Sequence, residues 1–459
     1  MMERFGISAA VNCMPSLDRE FYPIGCFNRA FLRTAKKPVA IAVERADGQM
    51  ASVHTFLHGT PDKIDADHYY INRLVKALLW VKGGFRVYTD DADSYAYLKN
   101  EYSATGSQRF DFDFMAGVYE HPFEVVLTDC VPETKDSPEK MGGHLDGCRI
   151  GFDAGGSDRK VSAVVDGKTV YSEEVVWFPK TNSDPDYHYD GIVAALKSAA
   201  EHMPRVDAVG VSSAGVYINN RPMTASLFLA VPKDLYDKKV KDIYIRAITD
   251  TFGKIPYSVI NDGDVSALAG AMSLNDTSML GIAMGTSEAG GFVDAQGCIT
   301  GWLNELAFVP VDANPDAMRD EWSGDIGCGV KYFSQDAVIK LAPRAGIALD
   351  EKLSPAEKLK VVQGLMEQDD PRAAEVYDSI GVYLGHTLAY YYEWYACRHV
   401  LLLGRVMSGK GGDRILAKCQ EVLREDYPEL YGVMVPSLPD ENFRRVGQSM
   451  AAASLPEIK

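Results

Sequence analysis

The sequence predicts an α/β fold of two lobes, with an additional α/β region at its N-terminal end. Three observations carry that expectation. Apolar runs of strand length alternate with stretches of helical period, several strands exit into glycine, and a hairpin stands ahead of a strand–helix series. Twisted sheets with helices outside them satisfy all three. In such folds ligands sit beyond the carboxyl ends of the strands.

The elements follow in order. Residues 37–56 read as two strands around Ala46-Asp47-Gly48, a favoured tight turn. Tyr70, Leu74, Ala77 and Leu78 recur near a 3.6 period and predict a helix over 66–81, which Gly83-Gly84 ends. A strand FRVYT, a short helix over 93–100 and a strand over 123–131 complete this region. The polar, turn-rich stretch 133–147 reads as a linker. Beyond it, 149–153, 159–165 and 168–177 are predicted strands, and 190–202 is a predicted helix. A strand at 208–212, a helix at 235–252, a strand at 257–260 and a helix at 265–272 follow. Strands at 279–284 and 290–293 come next. The last section reads as mainly helical, with a long helix around 373–397, a strand at 399–403 and a helix starting near Asp413.

Composition narrows the function. The 459 residues are 46% hydrophobic and 24% charged, a profile that supports large cores. The net charge of −17 repels phosphate backbones and argues against nucleic acid as a partner. It leaves room for one small phosphate ligand held by backbone N–H groups and a cation. No apolar run approaches the roughly 20 residues that cross a bilayer, so no membrane partner is expected. The first 20 residues carry neither a basic leader nor a sustained apolar segment, and a cytoplasmic location is the expectation. Eight cysteines, none in a CxxC pair, read as buried thiols of a reducing compartment.

Four separated segments converge on a nucleotide. In IGFDAGGSDRKVSAVVDGKTV, Asp153 closes a strand and Gly155 and Gly156 form a tight turn whose N–H groups suit phosphate oxygens. Asp153 is placed to hold Mg²⁺, directly or through water. In YSVINDGDVSALAG, a strand delivers Asn261, Asp262 and Asp264 to the start of a helix. Asp262 is suited to take a proton from a hydroxyl in line with a phosphoryl group, with one of the two aspartates left to cap the helix. In GIAMGTSEAGGFVDAQGCITGWLNELAF, Gly285 and Thr286 form a second phosphate-type turn, Gly290 and Gly291 reverse the chain, and Glu305 can accept sugar hydroxyls. In HVLLLGRVMSGKGGDRIL, Gly404, Gly409, Gly411 and Gly412 give a loop against which an adenine ring can slide.

From about Cys148 to Lys459 these segments resemble the actin/hexokinase superfamily of ATPases, whose fold is ribonuclease H-like. Within it the chain is similar to the repressor–open reading frame–kinase (ROK) family of bacterial sugar kinases. The resemblance implies an N-terminal extension over 1–132, the linker, a first lobe over 148–270 and a second lobe over 271–459. It implies Mg·ATP held by the turns at Gly155–Gly156 and Gly285–Thr286, with Asp153 near the metal. Asp262 is then the catalytic base, Asn261 binds the sugar, and the loop Gly404–Gly412 takes the adenosine.

Two departures stand out. The family's Gly-Glu-Ile-Gly-His segment reads Asn304-Glu305-Leu306-Ala307-Phe308 here, so Glu305 survives and a phenylalanine replaces the histidine. The family's cysteine cluster is reduced to Cys328, and Val330 stands where a second sugar-binding glutamate falls. A structural zinc is therefore expected to be absent. No N-terminal helix-turn-helix is legible, so the resemblance implies an enzyme rather than a repressor.

The expected activity is phosphoryl transfer from ATP to a sugar or polyol hydroxyl. Two alternatives stand beside it: an ATPase module acting on a protein partner, and a catalytically weak sugar sensor. For the aromatic helix around 373–397, cover by the sheet and the N-terminal region is one account. A homodimer interface, which the resemblance favours, is the other.

Overall fold

The computed structural model describes residues 2–138 and 140–458; of the linker predicted over 133–147, Glu139 lies outside the described residues. The chain forms two compact units. The first takes in Met1–Ser137, Ile282–Gly290 and Trp302–Leu438, and the second Pro138–Gly281, Gly291–Gly301 and Pro439–Lys459. The N-terminal region is thus grouped with the later part of the chain, and the last residues return to the unit that begins at the linker.

The second unit is organised around a five-stranded sheet. Its order is Tyr257–Asn261, Ala208–Ser213, Cys148–Ala154, Asp158–Val165 and Lys168–Val176. The first three strands are parallel, and the last two are added by antiparallel hairpins. Side chains alternate across a strand, so Ile150, Phe152 and Ala154 share one face while Gly151 and Asp153 share the other. The first face is packed with Val209, Val211, Val259 and the apolar sides of the helices Pro185–Ala200 and Ile243–Phe252, including Ile192, Leu196, Tyr244 and Ile248.

The opposite face is covered by the C-terminal helix Glu441–Ala453. Glycine makes that cover possible. A Cβ at Gly151 would collide with the Ser449 carbonyl, and one at Gly210 with the Ala452 carbonyl. The helix backbone therefore lies against the sheet backbone, and the Ser162 and Ser449 hydroxyls meet at 2.7 Å.

In the first unit the hairpin Lys37–Glu44 and Met50–Leu57 joins Arg86–Thr89 and Glu124–Leu127 in a four-stranded sheet. The helix Ile64–Lys82 is buried nearly all round. It ties the N-terminal region to the later chain in several ways. Arg73 and Lys76 pair with Asp325 at 2.8 and 3.2 Å, and the Glu305 N–H donates to the Trp80 carbonyl at 3.0 Å. These contacts are set by residues hundreds of positions apart, which is why the sequence alone reads residues 1–132 as a separate extension.

A second four-stranded sheet runs in the order Glu288–Val293, Met279–Met284, His399–Leu403 and Val435–Ser437. The aromatic helix Pro371–Tyr395 is covered within the first unit. Gly381 and Gly385, one turn apart, let it press against the helix Gly409–Asp426, and Tyr383, Tyr390 and Tyr391 are at most 1% exposed. Internal cover accounts for these rings without an interface between copies, leaving the homodimer as an inference from family resemblance.

Candidate active site

Three neighbouring parallel strands of the second unit end in line. Register pairs Asp153 with Ser212, and Ser213 with Asn261, so their carboxyl ends gather one polar corner. The Ser212 hydroxyl donates to Asp153 Oδ1 at 3.0 Å. Asn261 is the side-chain cap of the helix Asp262–Leu274: its Oδ1 accepts from the Gly263 N–H at 2.7 Å, and its Nδ2 donates to the Gly215 carbonyl at 2.7 Å. Capping thus falls to Asn261 rather than to an aspartate. Buried Asp264 instead accepts the Phe292 N–H at 2.9 Å, pinning the start of the helix to the strand Glu288–Val293.

Burial drives the electrostatics of the corner. It pushes the Asp153 carboxyl up to about 6; the Ser212 hydroxyl opposes that shift, the neighbouring Asp262 charge adds to it, and Lys160 opposes it. Asp262 is also raised by burial, against the pull of backbone N–H groups and of Lys180. Two neighbouring carboxyls, both raised by burial and one raised further by the charge of the other, are a pattern found at proton-handling sites.

The glycine turn is fastened from behind. The buried Trp177 indole N–H donates to the Gly155 carbonyl at 2.7 Å, and its backbone N–H donates to the Ser157 carbonyl at 3.1 Å. A Cβ at Gly156 would stand 2.6 Å from Lys180 Cε and 2.9 Å from Nζ, so the lysine lies over this turn. The four-segment reading passes over Lys180. The signal for it was a polar lysine just after the strand that answers the turn, and a solvated lysine is the commoner meaning of such a residue.

The remaining predicted residues, Gly291 excepted, lie in the first unit. Gly285 donates its N–H to the Ser287 carbonyl and accepts from the Gln335 N–H, both at 2.9 Å, and the Thr286 side chain is exposed. A Cβ at Gly285 would meet nothing nearer than 3.9 Å, so open space lies beside that turn. Gly404 backs directly onto Met284, the residue before Gly285. Gly290 packs against the Asn304 carbonyl, next to Glu305. Gly409 and Gly411 stand at the start of the helix Gly409–Asp426. Gly409 packs on Glu367 and Gly411 on the Tyr377 ring, so both glycines also have a packing reason. Phe308, in the position of the family's histidine, is buried in an aromatic group with Trp80 at 4.3 Å and Phe110 at 5.3 Å. Among the described residues no group of three or more His, Cys, Asp or Glu side chains could hold a metal ion.

A mixed sheet with parallel strands ending in acidic residues, flanked by helices, is compatible with the actin- and hexokinase-type fold. The chain belongs to the ROK family, whose model matches residues 149–443. Among solved structures it is similar to a ROK hexokinase from Thermus thermophilus, at 17% identity and a TM-score of 0.50, over 66% of this chain and 97% of that one. It is also similar to a ROK family transcriptional regulator, a homologue of the E. coli MLC protein, at 17% identity and a TM-score of 0.51, over 68% of this chain and 78% of that one. At these identities the likenesses show the fold. No curated protein matches the sequence.

Proposed function

We propose that the protein transfers the terminal phosphoryl group of ATP to a hydroxyl of a sugar or sugar-like molecule. The observation that carries this reading is the gathering of Asp153, Ser212, Asn261 and Asp262 at the ends of three adjacent parallel strands. Asp262 is the base: it stands at the first turn of its helix, held by rigid backbone on both sides, while Asn261 does the capping. It accepts the acceptor's hydroxyl proton as the oxygen attacks phosphorus. Asn261 orients the acceptor, and Glu305, anchored through its own N–H, is assigned a second sugar contact.

The corner fits Mg²⁺. Asp153 offers a hard oxygen ligand at a strand end, and magnesium is commonly bound by one or two carboxylates plus substrate phosphates and waters. When bound, the ion would neutralise charge on the phosphates. The turns at Gly155–Gly156 and at Gly285–Thr286 supply backbone donors and a hydroxyl for phosphate oxygens, and the loop from Gly404 through Gly409 and Gly411 is assigned to adenosine. Phe308 and Val330 leave the sugar pocket with fewer polar groups than the family pattern, so the acceptor is expected to differ from a plain hexose.

A screen of sugars and polyols for ADP release, with Asp262→Asn as the control, tests the reading. Acceptor-dependent ADP release that the variant loses supports it. Release that no small hydroxyl compound stimulates overturns it.

A further inference from the structure

The loop after the five-stranded sheet's edge strand carries an ordered cation to the glycine turn. Pro179–Thr181 forms one helical turn directly after Trp177 and Phe178. It is held from three sides. Trp177 is fixed to Gly155 and Ser157 by the bonds described above; the Phe178 N–H donates to the Tyr187 hydroxyl at 3.0 Å; and the Pro179 carbonyl lies 3.0 Å from Nε2 of the fully buried His188. A turn so fastened places Lys180 with little freedom of backbone. Its side chain crosses Gly156, where any Cβ would crowd it, and its charge acts on Asp262.

Resting on the phosphotransferase reading above, we infer that Lys180 is a further catalytic residue, its ammonium set over the Gly155–Gly156 turn to bind the terminal phosphate of the nucleotide. Gly156 is then a glycine for two reasons: it exposes its N–H, and it leaves room for the lysine stem. In the transfer, the bond from the acceptor oxygen to phosphorus forms while the bond from phosphorus to the β-phosphate oxygen breaks. The electron pair leaves with ADP, and the acceptor's proton passes to Asp262. The Lys180 ammonium neutralises charge on the moving group. The same positive charge favours the ionised form of Asp262, the form that acts as base.

Binding separates this role from a general surface charge. Calorimetry of the full chain is run with Mg²⁺ and a non-hydrolysable ATP analogue, and again with Mg²⁺ and ADP. Lys180→Met is expected to weaken the triphosphate at least 10-fold while changing ADP by less than 2-fold, and Lys180→Arg to recover most of the loss. Lys180 is exposed, and an unchanged melting temperature confirms that the variants are folded. Wild-type protein that prefers the triphosphate, with Lys180→Met keeping the same preference, overturns this inference alone. Wild-type protein that binds neither nucleotide overturns it together with the phosphotransferase reading.

Discussion

Ser212 donates its hydroxyl hydrogen to Asp153 across the register position that their two parallel strands share. A donor aimed at a carboxylate favours the charged form, so the serine holds the Asp153 carboxyl below where burial alone would put it. Ser212→Ala is expected to raise that group further above about 6. The variant should need several-fold more Mg²⁺ for nucleotide binding at pH 6 and converge with wild type at pH 8, where both carboxyls are ionised. A Mg²⁺ titration at the two pH values checks this; identical curves at pH 6 would remove the assignment of Asp153 to the metal.

Asp262→Asn keeps the shape of the corner and removes the base. Turnover is expected to fall about 10²- to 10⁴-fold with nucleotide affinity nearly unchanged. Single-turnover ADP release alongside calorimetry separates the two quantities.

The pH profile follows from burial. Asp262 must be ionised to accept a proton, and its carboxyl is raised, so activity should climb with pH through a limb above the usual carboxylate range. The charged and titrating groups facing it are Asp153, Tyr244 and Lys180, with Asp158 and Lys160 acting on Asp153. Because the two aspartates interact, the limb belongs to the pair. Removing Lys180 withdraws a charge that lowers Asp262, and the limb of Lys180→Met should move to higher pH. A limb that moves down, or stays, contradicts that linkage.

Gly210→Ala tests the close cover of the sheet. The added methyl meets the Ala452 carbonyl, and the overpacking should cost about 1–3 kcal/mol. Denaturant unfolding read as a shift in midpoint would show it, with a loss of Asp262 activity as the sheet and its cover separate.

Inside the first unit, Lys76 and Asp111 form an ion pair at 2.8 Å with both side chains inaccessible to solvent. Lys76→Met strands a buried carboxylate and is expected to destabilise the protein by about 3–5 kcal/mol. The double variant Lys76→Met, Asp111→Leu should recover much of that loss. Chemical denaturation of the two variants and wild type makes the comparison.

Much of this was legible in the sequence, because strands declare themselves locally. The alternation in 37–56 and the strands read over 159–165 and 168–177 anticipated both hairpins, and the apolar strand before Asn261-Asp262 pointed to the corner. The helix Arg109–Tyr119 was hidden by Phe110, Phe112 and Phe114, whose spacing of two imitates a strand. The helix predicted over 235–252 is split, with a wide turn at Tyr236–Val240 before Ile243–Phe252, because no local rule locates such a break. The cover of the sheet by Glu441–Ala453 was not legible, since it is specified by side chains that Gly151 and Gly210 lack. Lys180 was missed for the same kind of reason: its meaning lies in what it reaches, and Trp177 and His188 set that from a distance.

The C-terminal helix has a consequence for how the protein is made. The three parallel strands that present Asp153, Ser212 and Asp262 are all synthesised by residue 262, yet the helix that closes one of their faces starts at Glu441. At about 5–20 residues per second a ribosome needs on the order of 10–40 s to cover that interval. During it, the glycine-lined backbone of the nascent sheet has no partner of its own chain, which makes it a natural client for a chaperone on the emerging polypeptide. The sheet that carries Asp153 and Ser212 is covered on this face only late in synthesis, when the closing segment arrives.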